Sequence, residues 1–292
     1  MKRLRCALPK GSLEKTTFEI FSRAGIRIYK EGERSYFLSS NFEDVEFLLI
    51  RPQEIPNYVS DGIFDCGITG FDWILESGVK GIRELADFLY SKSGYRMTKW
   101  VIAVPEDSKI KDIKDIKGKR IATELVNFTR KYLKKRGVDA IIEFSWGATE
   151  AKPKILCDAI VELTETGKSL RENRLRIIDV ILETTPRFIA NKESLKDKWK
   201  KKKMEHLLLL LKGSMNAKDM VGLKMNVNEK NIKKIIKVLP ALKKPTVSPL
   251  LLKGWYAIEV VLNEDEVQKL LPKLKELGAE GIIEYPLNKI IY

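Results

Sequence analysis

Cysteine and histidine are scarce in this sequence, which limits the kinds of site it can build. Its 292 residues include three cysteines, Cys6, Cys66 and Cys157, which are too far apart to suggest a disulfide framework or a cysteine metal site. The one histidine, His206, has no second histidine to accompany it, which argues against Ser-His-Asp triads and HExxH zinc sites. We expect His206 to lie in a helix, in a structural or surface position. Chemistry at any site would then depend on positioning and hydrogen bonds.

Long apolar runs are also missing. None approaches the roughly 20 residues of a membrane helix, and the basic start MKRLRCALPKGSL lacks the apolar stretch of a signal peptide. Hydrophobic residues make up 44% and charged residues 32% of the chain, as in ordinary globular proteins. We therefore expect a cytoplasmic protein of two or three domains with no membrane partner.

Acidic residues are outnumbered by basic ones. The 54 lysines and arginines against 40 aspartates and glutamates give a formal net charge of +14. The basic residues are spread along predicted helices together with acidic ones, so we predict no nucleic-acid partner. Small anionic substrates would also be attracted by this charge. The densest cluster, Lys196, Lys198 and Lys200 to Lys203, is expected to be the solvated face of a helix.

The most informative stretch that is present is DAIVELTETGKSL, from Asp158 to Leu170. A predicted strand ends at Thr164, Gly167 permits a turn with positive φ, and the next residues can begin a helix whose free N–H groups face an anion. Amides and hydroxyls here, including those of Thr166 and Ser169, could hold a sugar phosphate, while Glu162 and Glu165 accept hydrogen bonds from ribose hydroxyls. An ordinary strand-to-helix loop is the alternative interpretation. A P-loop is not favoured, because Glu162 stands where that motif needs a glycine.

The first part of the chain alternates between strands and helices. Strands are predicted at 4–8, 45–50 and 65–69, and helices at about 13–24 and 55–61. This alternation predicts a mostly parallel sheet with ligands at the carboxyl ends of its strands. Two sets of residues are predicted to face one crevice there, although turn and capping roles are the alternative: Lys10, Gly11 and Ser12, and Asp65, Gly67, Thr69 and Gly70.

A second α/β part begins at a strand over 100–104 and continues through IATE at 121–124 to the DAIVELTETGKSL stretch. A strand over 187–191 then returns to the first part. The pattern predicts two lobes around a cleft, with lobe I formed by residues 1–97 and 183–217 and lobe II by residues 98–182. Residues 218–292 follow the order βαββαβ, which is the ferredoxin-like pattern of small regulatory domains.

Several stretches together resemble the long form of ATP phosphoribosyltransferase, the first enzyme of histidine biosynthesis. They are LPKGSL, RPQEIPNYVSDGIFDCGITG, KRIATE with RKYLKKRG, DAIVELTETGKSL, and a tail with PTVSPL, LKELGAEGI and PLNKI. The loop departs from the family's DLVSTGTTL, since Glu162, Glu165, Lys168 and Ser169 replace Asp, Ser, Thr and Thr. Leu156 also stands where the family has a glycine, in a segment that is one residue shorter.

The resemblance implies transfer of a phosphoribosyl group from phosphoribosyl pyrophosphate to N1 of ATP, with release of pyrophosphate and a requirement for Mg²⁺. It implies a two-lobed catalytic part of the type II periplasmic-binding-protein kind and an ACT- or PII-like regulatory domain. Glu162 and Lys10 are the expected catalytic residues. Phosphoribosyl pyrophosphate would be bound by Asp158, Glu162, Thr164, Glu165, Thr166, Gly167, Lys168 and Ser169. ATP would be bound by Lys10, Gly11, Ser12, Asp65, Gly67, Thr69, Gly70 and Glu124.

The resemblance also implies regulation and assembly. Histidine and AMP would be inhibitors, and the chain would form homo-oligomers that shift from dimers to hexamers. The histidine pocket would include Asn226, Leu242, Thr246, Val261 and Gly281, with Asn226 in place of an acidic residue found in some relatives. The competing hypothesis is a non-enzymatic two-lobed protein that binds small anions, which would share the cleft and would not need the phosphate loop.

Overall fold

The computed structural model describes residues 2–30, 32, 35–92, 94–240 and 245–292. The chain divides into two compact units. The first comprises residues up to Glu19 together with Ile26–Glu205, and the second comprises Ile20–Gly25 and His206–Tyr292. Within the described ranges, no helix is both long enough and apolar enough to cross a membrane.

Strands and helices follow one another closely along the chain. Up to residue 191 the strands are β1 (Leu4–Pro9), β2 (Ile28–Lys30), β3 (Phe37–Ser40), β4 (Val45–Ile50), β5 (Cys66–Gly70), β6 (Ile82–Asp87), β7 (Thr98–Pro105), β8 (Arg120–Thr123), β9 (Ile141–Phe144), β10 (Ala159–Thr164), β11 (Leu175–Thr184) and β12 (Pro186–Asn191). The helices up to residue 216 are α1 (Glu14–Arg23), α2 (Ile55–Ser60), α3 (Phe71–Ser77), α4 (Val126–Lys135), α5 (Lys168–Glu172) and α6 (Lys198–Asn216). The remaining elements are β13 (Met220–Asn228), α7 (Ile232–Val238), β14 (Thr246–Pro249), β15 (Trp255–Asn263), α8 (Glu264–Glu276) and β16 (Ala279–Pro286).

The first unit contains a seven-stranded sheet in the order β2-β3-β4-β1-β5-β12-β6. Only the central strands are parallel, β1 pairing with β4 on one side and β5 on the other. The prediction of a mostly parallel sheet is wrong here, because β12 inserts antiparallel between β5 and β6 and the β2-β3-β4 pairs are antiparallel. All five residues of β5 are buried, as expected for a central strand covered on both faces.

The same unit contains a five-stranded sheet in the order β11-β7-β10-β8-β9. Here β8 is parallel to both β10 and β9, whereas β7 is antiparallel to β10 and β11. Alternate residues of β7 enter two different cores. Trp100, Ile102 and Val104 pack in the larger core, and Val101 and Ala103 pack in the smaller one on the opposite face.

The parallel strands decide where loops converge. In the seven-stranded sheet β1, β4 and β5 all end at one edge, so the loops after Pro9, Ile50 and Gly70 lie together. In the five-stranded sheet β8, β9 and β10 likewise end together, which brings Glu124, Ser145 and Thr164 to one edge. These two edges supply the walls of the cleft described below.

The second unit has a four-stranded antiparallel sheet in the order β14-β15-β13-β16. Residues of α7 and α8, including Ile235, Val267 and Leu274, pack with the inward side chains of β13 and β15. The predicted order βαββαβ is confirmed. The connection from β13 to α7 begins with a 3₁₀ helix at Glu229–Asn231, which the Asn228 side chain caps by accepting from the Lys230 N–H.

The lysine cluster of α6 is only partly a solvated face. The Lys200 ammonium lies 2.6 Å from the carboxylate of Asp65, whose side chain is 1% exposed. Lys203 forms an ion pair with Asp44 and lies 5.9 Å from the centre of the Trp199 ring. The prediction of a solvated face is therefore wrong for these two lysines, whose charges are used inside the first unit.

Candidate active site

A cleft of about 670 Å³ lies between the carboxyl edges of the two sheets of the first unit. Its walls come from the loops after β1, β4, β5, β8 and β10 and from the two crossovers between the sheets. The residues predicted from the sequence that line it are Lys10, Gly11, Ser12, Gly70, Glu124, Glu162, Thr164, Glu165, Thr166, Lys168 and Ser169. The structure thus brings together eleven positions that are up to 159 residues apart in sequence.

The loop between β10 and α5 has the backbone of a tight turn. Gly167 has a φ of 72°, and its N–H donates to the Thr164 hydroxyl at 2.8 Å. The Ser169 hydroxyl donates to the Glu150 carboxylate at 2.6 Å, and the Arg171 guanidinium donates to the Thr166 carbonyl at 3.0 Å. The turn predicted at Gly167 is present, and these bonds hold it without using a ligand.

Glu162 is an acidic residue of the cleft whose pKa is raised by its surroundings. It lies on β10, opposite the apolar Val101 of β7. Burial raises the pKa of its carboxyl group to about 7, while hydrogen bonds from the Leu163 N–H and the Thr149 hydroxyl partly offset that rise. Glu150 and Glu124 add further negative charge nearby. A partly buried carboxylate in a cleft, with its pKa raised toward neutrality, is typical of a functional site.

Across the cleft, Lys10 follows the end of β1. Its ammonium lies 3.9 Å from the centre of the Tyr36 ring. A hydrogen bond from Lys10 and its positive charge lower the pKa of the Tyr36 hydroxyl. Gly11 follows with a φ of 96°, a conformation that favours glycine and that turns the chain toward α1. This loop presents a positive charge to the cavity.

Five of the predicted ligand residues do not line the cleft. Asp65 and Asp158 precede their strands, so they lie at the amino ends, away from the converging loops. Asp65 accepts hydrogen bonds from the Arg5 N–H and the Ser194 hydroxyl and pairs with Lys200. Asp158 accepts from the Arg120 N–H at 2.9 Å. Both carboxylates tie strands together.

The other three are inside or behind the walls. A Cβ at Gly67 would lie 2.9 Å from Ile55 Cγ2 and 3.0 Å from the Ala7 carbonyl, so packing requires this glycine. Thr69 is buried and donates to the Pro52 carbonyl at 2.7 Å, which fixes the loop after β4. Gly167 shapes the β10–α5 loop from behind, where a Cβ would meet the Arg171 guanidinium.

Sequence reasoning missed a buried carboxylate at the floor of the cleft. Asp72 accepts from Trp100 Nε1 at 2.7 Å and from the Thr184 hydroxyl at 3.1 Å. Burial raises the pKa of Asp72, and these two hydrogen bonds partly offset the rise. Asp72 therefore joins the first turn of α3 to β7 and to the end of β11. In the sequence it reads as an ordinary acidic residue at the start of a helix, so no local signal marks it.

A second cavity of about 710 Å³ shares lining residues with the first. The residues common to both are Arg51, Gln53, Trp73 and Glu124. Gln53 Nε2 donates to Glu124 at 3.3 Å, and Gln53 Oε1 is buried without a hydrogen-bond partner among the described residues. Phe144 and Trp146 form one wall with their ring centres 4.7 Å apart. The combined space is large, aromatic on one side and partly polar.

Four of the five predicted histidine-pocket residues are described, and they lie on one face of the second unit's sheet. Register places Asn226 opposite Ala257 and Thr246 opposite Glu259, on the side away from the helix-covered core, and Val261 follows on the same side of β15. Gly281 has a φ of 55°, and a Cβ there would lie 3.4 Å from Asn226 Nδ2. Leu242, the fifth predicted residue, is outside the described residues.

Comparison with known proteins gives consistent matches along the chain. Residues 51–213 match the ATP phosphoribosyltransferase family, and residues 217–289 match the HisG C-terminal domain. The ATP phosphoribosyltransferase of Thermodesulfovibrio yellowstonii is 54% identical over 290 residues, which is 99% of each chain. That of Chlorobium phaeovibrioides is 53% identical over 288 residues, covering 99% of this chain and 97% of the relative.

A solved structure agrees with the sequence matches. The ATP phosphoribosyl transferase (HisG:HisZ) complex from Thermotoga maritima superposes with a TM-score of 0.60 and 28% identity, over 71% of this chain and 98% of that one. The two sheets, the cleft between their carboxyl edges and the glycine turn after β10 are thus found in a chain that belongs to the ATP phosphoribosyltransferase family.

Proposed function

We propose that the cleft of the first unit is the active site of this enzyme. As a family member, the protein is an ATP phosphoribosyltransferase: it transfers phosphoribosyl from phosphoribosyl pyrophosphate to N1 of ATP and releases pyrophosphate, the first step of histidine biosynthesis. The observation that carries the assignment of the site is that the β10–α5 loop and the Lys10 loop line one cavity. Lobe I is formed by residues 1–97 and 183–217, and lobe II by residues 98–182. Together the two lobes form a catalytic part of the type II periplasmic-binding-protein kind.

The β10–α5 loop is assigned to phosphoribosyl pyrophosphate. Thr164, Thr166 and Ser169 supply hydroxyls beside the glycine turn, and Lys168 supplies a positive charge for the 5′-phosphate. Glu162 is better suited to the ribose hydroxyls, because a carboxylate accepts hydrogen bonds from them and repels phosphate. Asp158 lies at the opposite end of β10, where its carboxylate accepts from the Arg120 N–H, and its role is structural.

ATP is assigned to the opposite wall and the adjoining cavity. Lys10, Gly11, Ser12, Gly70 and Glu124 line the cleft there, and Arg51 adds a positive charge. The unpartnered carbonyl of Gln53 would accept a hydrogen bond from the exocyclic amine of adenine. Asp65, Gly67 and Thr69 support this wall and do not bind the nucleotide.

The chemistry requires positioning more than acid or base catalysis. When pyrophosphate leaves, the ribose acquires positive charge at C1, and the nitrogen of adenine must already lie in line with the breaking bond. Lys10 stabilises the negative charge that develops on the leaving group, and Glu162 fixes the ribose through its hydroxyls. The adenine nitrogen carries its own lone pair, so no strong general base is needed to form the bond.

Mg²⁺ is proposed to enter with the phosphates of the substrate. In the described ranges, no three histidine, cysteine or carboxylate side chains are grouped so as to hold a metal ion. Magnesium in such enzymes usually keeps waters and substrate phosphates as ligands, with only one or two carboxylates from the protein. A cleft without a preformed group of three ligands is compatible with that kind of binding. When bound, the ion would neutralise charge on pyrophosphate.

Residues 218–292, which form most of the second unit, are proposed to be a ferredoxin-like, ACT- or PII-like regulatory domain. Its βαββαβ order and its match to the HisG C-terminal domain support this. Histidine would bind at the sheet face with Asn226, Thr246, Val261 and Gly281. AMP would compete at the ATP site, and dimers would convert to hexamers. A cytoplasmic location and the absence of nucleic-acid partners belong to the same proposal.

The test is to incubate the purified full chain with ATP, phosphoribosyl pyrophosphate and Mg²⁺, with pyrophosphatase to pull the reaction forward. Phosphoribosyl-ATP detected by mass spectrometry, and reduced when histidine is added, is the expected result. Product that histidine does not reduce would contradict the regulatory assignment alone. Full turnover by Glu162→Ala with an unchanged KM for phosphoribosyl pyrophosphate would contradict the assignment of the cleft.

A further inference from the structure

A chain of buried hydroxyls runs from Lys152 to Glu162. The Lys152 ammonium donates to Ser145 Oγ at 2.5 Å, and Ser145 Oγ lies 2.8 Å from Thr149 Oγ1. The Thr149 hydroxyl also lowers the pKa of the Glu162 carboxyl group, as a donor to that carboxylate does. The hydroxyl residues are closed off from solvent, with Ser145 0% and Thr149 1% exposed. None of these three residues is among those assigned to the substrates above.

The ammonium sets the direction of the first bond in this chain: it can only donate, so the Ser145 oxygen accepts from Lys152. In the arrangement that gives each hydroxyl both a donor and an acceptor, the Ser145 proton points to Thr149. The Thr149 oxygen accepts that proton, which leaves its hydroxyl hydrogen to be donated to Glu162. The carboxylate thus faces a donor with a set orientation, and the positive charge of Lys152 stands at the far end.

The backbone brings this segment under the phosphate loop. Gly147 and Ala148 have φ values of 113° and 48°, the second unusual for a residue with a side chain, and the 3₁₀ helix Thr149–Ala151 follows them. One residue on, Glu150 accepts from the Ser169 hydroxyl of the phosphate loop. Consecutive residues of one turn therefore contact the ribose-binding and the phosphate-binding parts of the site.

We propose that Lys152 is a positioning residue for phosphoribosyl pyrophosphate: through Ser145 and Thr149 it holds a donor against Glu162, which keeps that carboxylate charged and aimed at the ribose hydroxyls. The inference rests on the proposed role of Glu162. The negative charge on Glu162 is opposed by Glu150 from the 3₁₀ helix and by Glu124 from the loop after β8. Burial against β7, where Val101 is the residue opposite, also opposes it. Loss of the Thr149 donor would leave these effects on the charge of Glu162 unopposed.

The test compares Lys152→Met with Lys154→Met in the full chain. Lys154 is the matched control, because its ammonium forms an exposed ion pair with Asp107 at 2.7 Å. We expect Lys152→Met to move the acidic limb of the pH profile of kcat/KM for phosphoribosyl pyrophosphate upward by about one pH unit. At pH 7 kcat/KM should then be roughly fivefold lower than in the wild type, and at pH 9 it should change little. Lys152→Arg should restore most of the profile, and Lys154→Met should match the wild type.

A double mutant separates this proposal from the one on which it rests. In a Glu162→Gln background, Lys152→Met should have little further effect on kcat/KM, because its target is gone. An equal loss in both backgrounds, or a wild-type pH profile for Lys152→Met, would overturn the role of Lys152. If Glu162→Gln alone behaves as the wild type, the proposed role of Glu162 fails first. If Lys152→Met does not fold, Thr149→Val can be compared with Thr149→Ser instead. We then expect kcat/KM for phosphoribosyl pyrophosphate to fall in the valine variant and not in the serine variant.

Discussion

Glu162 shows how burial at a single residue couples function to stability. Its carboxyl group is mostly withdrawn from water at the inner wall of the cleft, which raises its pKa to about 7. A group of this kind is costly to ionise in the folded protein, and the role proposed for it, accepting hydrogen bonds from ribose hydroxyls, needs the charged form.

The first prediction is that Glu162→Gln stabilises the protein in a pH-dependent way. Because the folded pKa lies above the unfolded value, the folded state binds the proton more tightly, and the wild type loses stability as pH rises from about 4.5 to about 7. A shift from 4.5 to about 7 corresponds to roughly 3 kcal/mol at most. Urea unfolding at pH 5 and pH 8 should show the variant gaining most at pH 8.

The control for this prediction is Glu172→Gln. Glu172 is on α5, its side chain is 64% exposed and it lies 3.7 Å from Lys168, so its substitution should change stability little at either pH. A stability difference for Glu162→Gln that is the same at pH 5 and pH 8 would show that the carboxyl group is not held near neutrality.

The second prediction concerns Gly167 in the β10–α5 loop, which is proposed to hold the 5′-phosphate. Valine at a φ of 72° is strained by about 1–2 kcal/mol or more, and the loop would have to change shape to relieve it. Gly167→Val should raise KM for phosphoribosyl pyrophosphate at least tenfold in steady-state assays. Gly137→Val is the matched control, since Gly137 has a φ of 69° beyond α4 and does not line the cleft. It should lose similar stability and keep a normal KM, and equal KM values for the two variants would argue against a phosphate cradle.

At the scale of elements, helices α3 and α4 are joined by a side chain. The Glu76 carboxylate, near the end of α3, accepts from the N–H groups of Asn127 and Phe128 in the first turn of α4, at 2.9 and 2.8 Å. It satisfies donors that the start of a helix leaves without partners, and it places a negative charge at the positive end of the helix. Glu76 and Asn127 also line the second cavity.

The third prediction follows from that contact. Glu76→Ala should cost about 1 kcal/mol in thermal or urea unfolding and raise KM for ATP, because α4 loses its cap at the wall of the cavity. Asp112→Ala is the matched control. Asp112 caps the 3₁₀ helix Ile113–Ile116, accepting from the Lys114 N–H at 2.7 Å, and it does not line either cavity. A KM for ATP that rises equally in both variants would point to general destabilisation.

The sequence predicts elements better than it predicts their pairing. Strands such as β1, β4, β10 and β13 were identifiable from apolar runs between turn residues, because burial imposes that composition locally. The antiparallel insertion of β12 could not be identified in this way, because its pairing with β5 depends on contacts between residues more than 100 positions apart. Asp65 and Asp158 were assigned to ligands although both precede their strands, and position along the strand is a signal that could have corrected this.

At the scale of the whole molecule, the chain combines a unit with the cleft and a unit with an open sheet face. Asn226, Thr246 and Val261 share that face, and the positive φ of Gly281 brings its backbone close to Asn226. If this face binds histidine, substitutions there should change inhibition and leave catalysis unchanged.

The fourth prediction tests this in the intact chain. Asn226→Leu should reduce inhibition by histidine at least tenfold while kcat and both KM values stay within twofold of the wild type, since an amide that bonds the ligand would be replaced by an apolar side chain of similar size. Asn216→Leu makes the same change at the end of α6, where the amide donates to the Ile290 carbonyl. Inhibition retained by Asn226→Leu, or lost equally in both variants, would contradict the assignment of the pocket.

The position of β6 in the seven-stranded sheet has a consequence for biosynthesis. Its partner in the sheet order is β12 alone, and β12 is encoded about a hundred residues later. At about 5–20 residues per second, a ribosome would need roughly 5–20 s to supply that partner. During this interval the segment Ile82–Asp87 waits without its hydrogen bonds, while the five-stranded sheet is synthesised in full. The first sheet is therefore the last of the two to close, and a nascent chain stalled before residue 186 would carry an unpaired strand that a chaperone or another chain could bind.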